Sequence, residues 1–225
     1  MENLYNILLI DDHPCVLEYY DLILNKISQN NFELNFNIDK AFDYYEGIDK
    51  IKQASLNKGR HIIVLDMRLG KSPEGKVLFG EDLGLLAKQL IPNVKIIIST
   101  FYDDAFKINS IIHKLNPLSL LIKNDFDKDI FENAIKSVVE GNPYYCNKVN
   151  RILQKKNELD YILDEIDLKI LYELSIGTKI TFLPDIVNMS MSGIEKRRRK
   201  LKDIFRVKSK NDRQLVLIAK EKGFI

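Results

Sequence analysis

The chain has 225 residues, long for one domain and comfortable for two. Its 45% apolar content fills a core without staples, and two cysteines, Cys15 and Cys146, are too few and too far apart for a disulfide framework or a zinc site, which fits a reduced, cytosolic setting. The net charge of +2 conceals a division: residues 1–145 carry 16 Lys and Arg against 21 Asp and Glu, a net of −5, while residues 146–225 carry 18 against 11, a net of +7. An acidic half joined to a basic half suggests a regulatory domain and a polyanion-binding domain.

The first ten residues, MENLYNILLI, lack a basic segment and a small-residue cleavage site, so they do not read as a signal peptide. No apolar run approaches the ~20 residues of a membrane span. Short apolar runs at Ile7–Ile10, Ile62–Leu65, Ile96–Ile98 and Leu118–Ile122, with a weaker one at Phe36–Ala41, suit strands buried on both faces of a parallel sheet. Between them, Val16–Ile27, Tyr44–Leu56, Asp82–Leu90, Asp104–Leu115 and Asp127–Glu140 show helical spacing. Five strands alternating with five helices predict a doubly wound α/β domain over residues 1–141. Gly141-Asn142-Pro143 ends the fifth helix, and residues 142–160 read as a linker, with a short helix within Tyr144–Asn157.

Residues 161–225 have no strand pattern. Asp164–Leu174, Phe182–Asn188, Ser192–Phe205 and Asp212–Lys222 predict four short helices, the third of them very basic. This part of the chain reads as a small all-α bundle.

In open α/β sheets, ligands sit beyond the carboxyl ends of the strands. Here the first strand ends in Asp11-Asp12, the third in Asp66, the fourth in Ser99-Thr100 and the fifth in Lys123. Clustered carboxylates repel one another and call for a cation; oxygen ligands that keep some waters suit Mg²⁺. A carboxylate held against Mg²⁺ can take up a phosphoryl group, whose oxygens a Lys and a Thr can then bind. His13, followed by Pro14, reads as the start of the first helix rather than as a metal ligand.

This constellation, with LLIDDHP at Leu8–Pro14, VLDMRL around Asp66, NVKIIIST ending at Thr100 and LLIKNDF around Lys123, resembles over residues 5–140 the receiver domain of two-component response regulators of the NarL/FixJ branch. The resemblance implies Asp66 as phosphoacceptor, with Asp11, Asp12, Asp66 and the backbone carbonyl of Arg68 holding Mg²⁺, Thr100 as the switch hydroxyl and Lys123 as the phosphate-pairing lysine. Three departures stand out. The matching glycine after Asp66 is Gly80, which implies about six extra residues in Leu69–Phe79. Bulky Phe101 and Tyr102 follow Thr100, the first where a small residue is usual, and Leu120 takes the place of the aromatic that usually couples to the switch.

The last 63 residues, Leu163–Ile225, resemble the four-helix LuxR-type helix-turn-helix domain of the same branch. The second helix of such a motif enters the major groove. Ser190 or Ser192 caps it, and Ile194, Leu201 and Phe205 point to the core. Ser192, Glu195, Lys196 and Arg199 then face the groove, while Arg197, Arg198, Lys200 and Lys208 lie at its flanks and suit phosphates. Pro184 and Gly193 depart from the usual residues at their positions.

Together these resemblances imply a response regulator transcription factor, cytoplasmic, phosphorylated on Asp66 by a sensor histidine kinase, and acting as a homodimer on double-stranded DNA. RNA polymerase is a further candidate partner; no membrane is implied. The alternative within this reading is a DNA-binding regulator that works without phosphorylation. Two rivals are weaker. A haloacid-dehalogenase-like phosphotransferase would need an acid at Arg68, and a protein-binding adaptor would not need a +7 C-terminal half.

Overall fold

Unbroken β-branched runs bury both faces, and each becomes a strand flanked by helices in the computed structural model, which describes residues 3–30, 34–75, 77–125, 127–156, 163–208 and 211–225. The chain divides into two compact units, Met1–Tyr102 with Ile111–Val149, and Asn150–Ile225 with Asp103–Ser110.

In the first unit, β1 (Asn3–Ile10), β2 (Leu34–Ala41), β3 (Arg60–Asp66), β6 (Lys95–Thr100) and β7 (Ser119–Ile122) form a wholly parallel sheet in the order β2-β1-β3-β6-β7. Its helices are α1 (Pro14–Asn30), α2 (Tyr44–Leu56), α3 (Gly80–Leu90) and α5 (Lys128–Glu140); α4 spans Ala105–Leu115. Alternation along the strands sends neighbouring side chains to opposite faces. Leu65 packs where α3 crosses, while Ser99, level with the next residue Asp66, bonds to Tyr20 of α1. Tyr20 in turn stacks on the fully buried Phe131 of α5 at 4.4 Å. Ile7, Leu9, Ile10, Ile62–Leu65 and Ile96–Ile98 are essentially sealed, each side chain contributing about 1.5–3 kcal/mol of apolar burial.

Two segments differ from the sequence expectation. Leu69–Phe79, for which the sequence pattern implies extra residues but no strand, is an antiparallel hairpin of β4 (Arg68–Lys71) and β5 (Val77–Phe79). Ser72-Pro73-Glu74-Gly75 makes its turn, with Gly75 N–H donating to Ser72 O at 2.8 Å and Gly75 at φ +81°. Tyr144–Tyr145, expected in the linker, is a sixth parallel strand, β8, beside β7. Gly141, at φ +88°, caps α5 and turns the chain back, so that Tyr144 N–H reaches Leu118 O and the Tyr145 hydroxyl reaches Pro117 O. The first unit therefore runs on to Val149, past the boundary expected at residue 141. The short helix expected after it is α6 (Asn147–Lys156); residues 157–162 of the expected linker lie outside the described residues.

In the second unit α7 (Glu165–Ser175), α8 (Leu183–Val187), α9 (Met191–Ile204) and α10 (Asp212–Glu221) close around Ile170, Leu171, Leu183, Val187, Ile194, Leu201, Phe205 and Leu215. Pro184 sits in the first turn of α8, where its missing N–H costs no hydrogen bond. Asn188 ends α8 in the left-handed conformation, and two residues later the Ser190 hydroxyl accepts from Gly193 N–H at 3.2 Å and caps α9. A short helix, a tight turn and a longer basic helix follow from these two caps.

Candidate functional site

The parallel register sets the rim of the first unit. Ile10 pairs with Leu65, Asp66 with Ser99 and Thr100 with Ile122, so Asp11, Asp66, Thr100 and Lys123 come out at one level. Lys123 Nζ lies 2.6 Å from Asp11 Oδ2 and 3.1 Å from Asp66 Oδ2, with all three side chains almost fully buried. The second oxygen of Asp66 accepts from Met67 N–H at 2.7 Å, and Asp11 Oδ1 accepts from His13 N–H at 3.1 Å. Burial pushes the Asp66 carboxyl up to about 6; Lys123 opposes that shift and Asp11 adds to it.

His13 stands at the start of the first helix, as expected. It leads into α1, whose first residue is Pro14, and its Nδ1 lies 3.2 Å from Asp11 and 2.8 Å from Asp12. Asp11, Asp12, His13 and Asp66 bring ligand atoms within 4.8 Å of one another. Asp12 Oδ1 is shut off from solvent beside His13 Nδ1, out of line for a hydrogen bond, and among the described residues it has no hydrogen-bond partner. Three carboxylates, one of them with an oxygen that makes no hydrogen bond among the described residues, make a donor set that fits a divalent cation of the Mg²⁺ kind. Arg68 opens β4 two residues past Asp66, with its side chain exposed.

Thr100 is buried, and its hydroxyl accepts from Tyr102 N–H at 3.1 Å. Leu120 is fully buried one strand away, so no aromatic side chain stands at that position. Phe101 is half exposed and roofs the site: its ring centroid lies 4.9 Å from Lys123 Nζ and 6.2 Å from the His13 ring, edge to face.

Two further residues were not singled out from sequence for what they do. A Cβ at Gly80 would stand 1.9 Å from the backbone oxygen of Asp66, so only glycine lets the start of α3 pass behind Asp66. Tyr20 holds Ser99 from below at 2.6 Å, and burial raises its hydroxyl pKa. On the other side, a Cβ added at Gly70 of the hairpin would stand 3.8 Å from Asp12 Oδ2, which places β4 at the edge of the rim.

The second unit carries the basic helix. Ser192, Lys196, Arg199 and Lys208 are exposed, and among the described residues none of them makes an ion pair. Arg199 Nε reaches back to Glu195 O at 3.4 Å. Other cations of the helix are engaged inside the unit, Lys202 among them, 2.8 Å from Asp212 Oδ1. Arg197 Nη1 contacts Asp164 Oδ2 at 2.6 Å and Asp167 Oδ1 at 2.7 Å, and Lys200 Nζ lies 3.1 Å from Asp167 Oδ2. Arg198, expected at the phosphate-contacting flank, is instead buried and bridges Glu195 and Asp212. The reason is its spacing: Ile194, Arg198, Leu201 and Phe205 fall at i, i+4, i+7 and i+11, so the arginine occupies the inward stripe and brings its own carboxylates. Glu195, expected either to contact a base or to orient a neighbouring arginine, is one of them and does the second. Arg206 and Arg213 are exposed cations that sequence reasoning passed over.

No family model matches the chain, and no curated protein matches it. Solved structures do. A complex of the two-component response regulator RcsB with DNA superposes with a TM-score of 0.61 at 19% identity, over 96% of this chain and 97% of that one. RcsB of Salmonella enterica serovar Typhimurium, bound to promoter DNA in the presence of the phosphomimetic BeF3⁻, gives 0.58 at 19% identity over 95% and 96%. Two RcsB dimers on two parallel DNAs give 0.59 at 18% identity over 96% and 97%. The chain shares the fold of these proteins. The likeness covers a parallel-sheet unit followed by a helical unit, the two-part architecture expected from the sequence.

Proposed function

We propose that this chain is a response regulator transcription factor in which phosphorylation of Asp66 by a sensor histidine kinase controls DNA binding by the helical unit. The observation that carries the reading is the rim itself: a buried acceptor carboxylate beside a second aspartate, both on one buried lysine, at the carboxyl ends of parallel strands. An Asp66 oxygen forms the new bond to phosphorus as the bond from phosphorus to the kinase's histidine nitrogen breaks, and the electron pair stays on the imidazole. Asp11, Asp12, Asp66 and the Arg68 carbonyl would hold Mg²⁺, which when bound neutralises charge on the phosphoryl oxygens. Lys123, already 3.1 Å from Asp66, turns to the phosphoryl group, and Thr100 exchanges its contact with Tyr102 N–H for a phosphoryl oxygen.

In the helical unit, Ser192, Lys196 and Arg199 are the residues for base edges and Lys208 for a phosphate. The likeness to RcsB–DNA complexes supports a duplex partner and a dimer on paired half-sites, since one small module gives little specificity. Contact with RNA polymerase and a cytoplasmic location belong to the same reading. Among the described residues no helix is long and apolar enough to cross a membrane.

A second reading, DNA binding without phosphorylation, is favoured by Leu120, which leaves Thr100 no aromatic partner in the readout. Genomic DNA capture with wild type and Asp66→Asn, each with and without acetyl phosphate and Mg²⁺, separates the two. Phosphorylation-dependent capture by wild type alone supports the first. Equal capture by all four samples supports the second.

A further inference from the structure

We propose that Asp164 and Asp167 set the non-specific DNA affinity of the basic helix by holding Arg197 and Lys200 in ion pairs that backbone phosphates would otherwise take. The inference rests on the DNA-binding reading above and concerns which cations of that helix are free.

Asp167 has a side chain with no solvent exposure, so its charge depends on fixed partners. Both its oxygens are used: Oδ1 by Arg197 at 2.7 Å and Oδ2 by Lys200 at 3.1 Å. Asp164 adds a second carboxylate to the same Arg197 nitrogen, at 2.6 and 2.8 Å. A phosphate that drew Arg197 and Lys200 away would leave Asp167 buried and unpaired, which costs more than one solvated phosphate contact returns. The two aspartates therefore stand where phosphates would stand. Of the run Lys196–Lys200, only Lys196 and Arg199 make no ion pair among the described residues, and these lie on the face read as groove-facing. A helix with few free cations binds random sequence weakly and leaves discrimination to its base contacts.

The test uses the full chain and a labelled duplex of random sequence, titrated at several salt concentrations. Each phosphate contact contributes about −0.9 to the slope of log K against log salt. In Asp164→Asn/Asp167→Asn the asparagine at 164 keeps the cap that accepts from residue 167 N–H, while both charges are removed. The expected slope is steeper than wild type by about 1–2, with tighter binding at low salt. Lys200→Gln, which leaves Asp167 its Arg197 partner, is expected to keep the wild-type slope. An unchanged slope in the double variant overturns the proposal, as does a slope shallower by about 0.9 in Lys200→Gln. If the double variant does not fold, as read by circular dichroism, Lys200→Gln decides alone. Wild type that shows no salt-dependent binding removes the DNA-binding reading itself, and the proposal with it.

Discussion

The acidic rim and the basic helix are both dense in charge of one sign, and they resolve it in opposite ways. At the rim, Asp11 and Asp66 share one buried ammonium, Asp12 Oδ1 has no hydrogen bond among the described residues, and Asp66 is pushed up to about 6. On the helix, carboxylates from α7 and α10 and Glu195 of α9 itself take up Arg197, Arg198 and Lys200. The Asp164 carboxyl shows the contrast. Burial alone would raise it, but the Arg197 guanidinium and the Asp167 N–H outweigh burial and hold it below its ordinary value. A charge run is thus no measure of a binding site; the uncompensated remainder is. At the rim the remainder is negative and buried, which asks for a cation. On the helix it is a few exposed positive side chains.

The largest effect is expected where the rim loses its one ammonium. Lys123→Met leaves Asp11 and Asp66 buried without it, at a cost of about 3–5 kcal/mol in chelator, read by urea unfolding of the first unit. Adding Mg²⁺ should recover part of that loss; no recovery would mean that the rim takes no divalent cation. Next comes Gly80→Ala, whose Cβ meets the Asp66 carbonyl: about 3 kcal/mol of destabilisation by the same measurement, with wild-type stability as the contrary result.

Phe101→Ala removes the roof over Lys123. Once phosphorylated, this variant should lose its phosphoryl group about tenfold faster than wild type, equivalent to roughly 1.4 kcal/mol. Equal half-lives would make the ring a bystander. The smallest effect is on the helix. A carboxyl lowered in the folded state contributes stability above its ordinary value of 3.8, and that stability is lost as pH falls through the folded value. Amide-exchange protection in α9 should therefore be slightly lower in Asp164→Asn at neutral pH, and the gap should close below pH 3.8. A gap that does not change with pH would show that the charge of Asp164 does not matter.

The rim was readable in the sequence because Asp11, Asp66, Thr100 and Lys123 each close an apolar run, and parallel strands bring such ends together. What sits around it was not. The hairpin strands are four and three residues long, too short for alternation to show. β8 has two residues, behind a Gly-Asn-Pro that marks an ending equally well. The approach of Gly80 to Asp66 depends on where α3 crosses the sheet. Arg198 is a different case: its place on the i, i+4, i+7 stripe was visible, but its neighbours in RRRK made it look like part of a solvated face.

The central claim is that Asp66 is the acceptor at a site short of positive charge. Its most direct test is intact-mass measurement of wild type and Asp66→Asn after incubation with acetyl phosphate, with and without Mg²⁺. The account predicts one added phosphoryl group on wild type, only with Mg²⁺, and none on Asp66→Asn. No addition to wild type with Mg²⁺, or equal addition to both proteins, would contradict it.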